Sequence, residues 1–190
     1  MTRNKILNLA IYGCRAAQAL CISLSILLIC VFVHFQYEKD FYKKIDIQLK
    51  NSSFQYSKLD TWGSSSKMLN IDKNYIIDTI SIPSLYLLFM QYSALLILLF
   101  LALKEFKKVV LSLENYSTFQ MKNVNSFRRI GNFLFLYLLI GSVQWITFQE
   151  GSLINFSLSI APLCLAIFAF LLAEIFKEGN SLKKENDLTI

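Results

Sequence analysis

The sequence predicts an all-α integral membrane protein: a four-helix transmembrane bundle with a cytoplasmic amphipathic helix between its second and third spans. Three observations carry that expectation. Hydrophobic residues make up 55% of the 190 positions and charged ones only 17%, whereas an ordinary soluble domain is about a quarter charged. Mean hydropathy is +0.46. Asp, Glu, Lys and Arg are absent from four long runs, residues 16–37, 79–103, 130–149 and 151–173. These hold 22, 25, 20 and 23 residues, and a helix of roughly 20 residues crosses a hydrocarbon core of about 30 Å. Sixteen Phe and nine Tyr beside six Gly and two Pro exclude a disordered chain.

The whole chain reads as one four-span domain. The first span covers about 11–37. Residues 1–5 resemble the basic start of a signal peptide, but the apolar run that follows is too long for a cleavable apolar region. Residues 38–78 form an outer loop rich in aromatics (Phe41, Tyr42, Phe54, Tyr56, Trp62 and Tyr75), which suit the headgroup belt. The second span, 79–103, has Pro83 in its first turns, where the missing N–H costs little.

Along the inner loop, 104–129, Phe106, Val109, Val110 and Leu113 repeat at helical spacing, opposite Lys104, Lys107, Lys108 and Ser112. The second span is thus expected to continue as an amphipathic helix along the inner surface. Ser117 and Gln120 have the spacing of a capping box opening a new helix. The third and fourth spans, 130–149 and 151–173, are separated by Glu150 alone, which forces antiparallel neighbours. Pro162, central in the fourth, predicts a kink, with Asn155, Ser157 and Ser159 available to freed carbonyls. Gly179 is a helix-stop signal in the tail, 174–190.

Orientation follows from the cations. Residues 1–15, 104–129 and 174–190 share one side by parity and hold 12 of the 19 Lys and Arg. By the positive-inside rule that side is the cytoplasm, so both termini are inside. The four Cys, at 14, 21, 30 and 164, fall in or beside spans and read as small apolar packing residues.

Motifs for chemistry are missing. There is no metalloprotease His pair, no phosphate-binding Gly loop and no nucleophile elbow. The single histidine, His34, at the outer end of the first span, is an interfacial polar residue rather than a metal ligand. No catalytic residue, cofactor or metal is therefore expected, nor direct binding of nucleic acid. Inside the spans the polar candidates are Gln91 and Gln144. They lie about 18 and 21 Å from the inner ends of antiparallel helices, close enough in depth for an interhelical hydrogen bond. No run carries an ionisable side chain, which disfavours an ion- or proton-coupled transporter.

Beyond the fourth run the chain reads Phe176-x-x-Gly179-x-x-Leu182, a charged stretch, then Asp187-Leu188-Thr189-Ile190. This ending resembles that of the YoaS-like bacterial membrane proteins, a four-span family of undefined function. The stretch from Phe119 through Asn123, Arg128 and Arg129 to Gly131 is similar to that family's second marked segment, although Ser117-Thr118 and Gln120 depart from its usual residues. The resemblance implies a bacterial inner-membrane location. It also implies a partner, because such proteins are often encoded beside a small Cro-like helix-turn-helix regulator. The expected interaction surface comprises Phe119, Asn123, Arg128, Arg129, Gly179, Leu182, Asp187, Leu188 and Ile190. Its arginines would reach Glu174, Glu178, Glu185 or Asp187, and Leu182, Leu188 and Ile190 would pack near Val124 and Phe127. The function expected is non-enzymatic: protein–protein interaction in the lipid bilayer, with membrane sequestration of that DNA-binding regulator. A small transporter or peptide-resistance protein is the alternative.

Overall fold

The computed structural model of the chain describes residues 3–38, 41, 46–47, 55–58, 75–76, 80–114, 119–148 and 151–188. Four long helices dominate: α1 (Arg3–Tyr37), α2 (Ile82–Glu114), α3 (Met121–Ser142) and α4 (Ile160–Leu188). Short strands β1 (Asp46–Ile47), β2 (Gln55–Lys58) and β3 (Tyr75–Ile76) lie between α1 and α2, and β4 (Val143–Phe148) and β5 (Gly151–Ser157) between α3 and α4. Among the described residues, three helices are long and apolar enough to cross a membrane: α1 over Lys5–Tyr37, α2, and α4 over Ile160–Asn186. Leu20, Ile26, Leu27 and Ile29 on α1 are half or more exposed, the exposure that a helix able to cross a membrane requires of side chains meant for lipid.

The expected third and fourth spans are redrawn. Helix α3 stops at Ser142 and α4 starts at Ile160, and the segment between them is an antiparallel hairpin running from Val143↔Phe156 to Phe148↔Gly151. Composition explains the switch. Val143-Gln144-Trp145-Ile146-Thr147-Phe148 is β-branched and aromatic, which favours a strand. Gly151, Ser152, Asn155 and Ser157 are weak helix formers. Freedom from charge registers hydrophobicity, not conformation, so the runs alone missed this. The charge-free part of α3, 130–142, is about 20 Å long, short of a crossing by itself.

Two smaller expectations change with it. Pro162 is the third residue of α4, where it costs no helical hydrogen bond and causes no mid-helix kink. Gly179 does not end its helix, which runs on to Leu188. Residues 104–114 continue α2 without a break, as expected of the extension of the second span, and α3 opens at Met121. Asn123 N–H donates to Gln120 C=O at 2.9 Å, marking that start, while Ser117 lies outside the described residues. Pro83 is the second residue of α2, as its placement required.

The chain divides into two compact units. The first gathers Met1–Leu24, Leu96–Leu138 and Ile160–Ile190. Its core is Val109 of α2, Val124, Phe127 and Ile130 of α3, and Ala169 and Ala173 of α4, with Leu113, Leu134, Leu172 and Phe176 packed against them. Small residues let α3 and α4 approach closely, the usual packing device where lipid removes the hydrophobic drive between helices. A Cβ on Gly131 would stand 2.7 Å from the Phe170 ring.

The second unit gathers Ser25–Leu95 and Leu139–Ser159. Its sheet has the order β2-β5-β4, with β2 and β5 antiparallel, and β1 pairs separately with β3. The outer edge, β4, is closed by the start of α2. Ser81 N–H donates to Thr147 C=O, and Thr147 N–H donates to the buried Ser84 Oγ, both at 2.8 Å. Such closure satisfies strand-edge groups that would otherwise be left open. Phe32 of α1 stacks on Phe89 of α2 at 4.2 Å and meets Tyr86 edge-on at 5.0 Å.

Candidate interaction surface

Phe119, just ahead of α3, lies over Gly179 of α4. A Cβ on that glycine would run into the Phe119 ring, so the glycine serves close approach rather than helix termination. The Phe119 and Phe127 rings flank Phe176, at 5.6 and 4.9 Å between centroids. This aromatic trio joins the two segments singled out in the sequence. Aromatic pairs of this kind contribute about 0.5–1.5 kcal/mol each beyond the area they bury.

Polar contacts extend the join. Arg128 donates to Glu174 Oε1 at 2.7 Å, and Lys177 donates to Glu174 Oε2 at 3.1 Å. All three side chains are substantially exposed, so solvent screens both pairs and they chiefly set orientation. Arg129 points elsewhere. Its Nη1 is 3.6 Å from Glu105 Oε1 on α2, an oxygen also held by Lys108 Nζ at 2.6 Å. Ser126 Oγ donates to Glu105 Oε2 at 2.9 Å. Glu105 is only 7% exposed, and a buried carboxylate requires this degree of pairing. Asn123, also buried, donates through Nδ2 to Ser112 Oγ at 2.8 Å.

Of the expected surface residues, Phe119 and Arg128 thus meet α4 at Gly179 and Glu174, whereas Asn123 and Arg129 are turned to Ser112 and Glu105 of α2. Leu182 does not pack inward; it is 62% exposed, and Phe176 and Ala173 occupy the place expected for the tail leucines. Asp187 and Leu188 continue α4, and Ile190 lies outside the described residues. Sequence reasoning missed Glu105, Ser126 and Phe176 as organisers. Glu105 offered one signal, an acid two residues past a charge-free run and directly after Lys104; its bond to Ser126 spans 21 residues and needs the fold.

Gln91 and Gln144 both lie at the junction of α2 with the end of α3, though each is bonded to other groups. Gln91 Nε2 donates to the carbonyls of Ile140 and Val143, both at 2.7 Å, and Gln144 Nε2 donates to Tyr92 Oη at 3.3 Å. Helix C-termini leave carbonyls without intrahelical partners, so Gln91 caps α3 where it gives way to β4. Among the described residues, His34 is exposed, 3.7 Å from Glu38 and edge-on to Phe41. Cys14 and Cys21 are buried, whereas Cys30 and Cys164 are exposed.

No curated protein and no solved structure matches the chain. Residues 66–190, about two thirds of its length and including α2, α3, the hairpin and α4, match the family described as protein of unknown function (DUF2975), and the chain belongs to that family.

Proposed function

We propose that this is a non-enzymatic bacterial inner-membrane protein that acts by protein–protein interaction, holding a small helix-turn-helix regulator at the cytoplasmic face. The observation that carries this reading is the seating of Phe119 and Arg128 against Gly179 and Glu174, which makes one surface of two distant segments. Beyond that join α4 continues with Leu182 exposed, an apolar contact flanked by Lys183, Lys184 and Glu185. The likeness of the tail to the YoaS-like proteins supports the same class of partner.

Four passages with both termini inside suit this role. The β2–β5 pairing supports that topology, because it ties the α3–α4 connection to the 38–78 segment on one side of the membrane. Helix α3, 22 residues long, then makes the return crossing together with the residues that follow it, and α4 leads back to the cytoplasm. The test is co-purification from native membranes. Full-length protein is expected to bring down a small DNA-binding regulator, and a variant lacking residues 187–190 to insert normally but lose it. A correctly inserted deletion that retains its partner at full strength would remove the tail from the mechanism.

A further inference from the structure

Two cations converge on one oxygen of Glu105: Lys108 at 2.6 Å and Arg129 at 3.6 Å. A single carboxylate cannot neutralise both, and Lys104, one turn before Lys108 on α2, adds a third positive charge. These heads face outward, Lys108 with half of its side chain exposed and Arg129 with 63%. Their depth is set by the sequence. Lys104 is the first residue after the charge-free run 79–103, and Arg129 the last before the run that starts at 130. They therefore stand where the apolar surface stops, at the level of phospholipid headgroups.

Two further observations point the same way. Seven residues from Lys104 and from Arg129, two helical turns into the apolar runs and on the same faces, are Ile97 and Leu136, exposed by 57% and 45%. An apolar bed thus continues from the cations into the hydrocarbon. Charge is also divided unequally: the unit containing this cluster has twelve Lys and Arg against six acids, and the other has seven against seven.

We infer that Lys104, Lys108 and Arg129 bind the phosphate of an anionic phospholipid, with Glu105 and Ser126 holding the cations in position. The guanidinium supplies a planar pair of donors and the two ammonium groups compact charge. The acyl chains lie along Ile97 and Leu136, which a soluble anion would not use.

Native mass spectrometry of the full-length protein, titrated with phosphatidylglycerol and with phosphatidylcholine of the same chains, tests the site. Phosphatidylglycerol is expected to bind more tightly by roughly tenfold or more. The preference should collapse in Lys104→Gln/Lys108→Gln/Arg129→Gln, and persist in the charge-conserving Lys104→Arg/Lys108→Arg/Arg129→Lys and in Lys183→Gln/Lys184→Gln. Equal binding of the two lipids, an unchanged preference in the neutralised variant, or loss of it in the charge-conserving one would overturn the site. So would inorganic phosphate that displaces phosphatidylglycerol at millimolar concentration, since the site would then be one for a soluble anion.

Discussion

Gly179 shows how one residue's role depends on what lies opposite it. A mid-helix glycine costs about 1 kcal/mol relative to alanine, yet here it makes room for the Phe119 ring. Gly179→Ala is expected to destabilise by about 1 kcal/mol net, because the overpacking cost of about 1–3 kcal/mol exceeds the gain in helix propensity. In a Phe119→Ala background the sign should reverse, so thermal melts of the four proteins of the cycle form the check. Additive effects would mean that the ring does not occupy this seat. Gln91 carries the second prediction. Gln91→Leu leaves the Ile140 and Val143 carbonyls without their donor, at a cost of about 1–2 kcal/mol. A melting temperature unchanged from wild type would contradict the capping role.

At the scale of elements, the decisive feature is the hairpin that replaces the adjoining ends of two expected spans. Its six paired positions bring β5 beside β2, so Lys58 and Asn155 are partners in register. Lys58→Cys with Asn155→Cys should form a disulfide on mild oxidation, detected as a mobility shift on non-reducing gels. If 151–173 were instead one continuous helical span, the two cysteines would not meet. Pro162→Ala gives a complementary check. An interior proline costs about 3 kcal/mol, whereas a first-turn proline costs almost nothing. The substitution should therefore move stability by no more than about 0.5 kcal/mol in a denaturation series.

For the whole molecule the question is which face of the membrane each end occupies. The unit that contains both termini carries the entire net charge of +6, and cations near span ends are retained in the cytoplasm. In intact cells, Glu38→Cys should react with an impermeant thiol reagent and Ser181→Cys should react only after permeabilisation. Labelling of Ser181→Cys from outside would reverse the orientation and detach the composite surface from any cytoplasmic partner.

The sequence by itself determined the long apolar stretches of α1, α2 and α4, enough to cross a membrane, and singled out the two segments that meet at Phe119 and Gly179. Those properties are local: a stretch without charge must leave water wherever it lies, and a tail such as Phe176 to Ile190 can be read in order. The expected Gln91–Gln144 hydrogen bond rested on counting depth along two helices, which does not apply to Gln144 because it lies on strand β4. Only the tertiary structure decided what those residues touch. Arg128 and Arg129 are neighbours in sequence, but successive residues on a helix point about 100° apart, so one reaches Glu174 on α4 and the other Glu105 on α2. Likewise β4 and β5 are as free of charge as the adjoining turns of the helices beside them. Their conformation depends on a partner strand from residues 55–58 and on the seryl edge of α2, contacts that exist only once distant parts of the chain have come together.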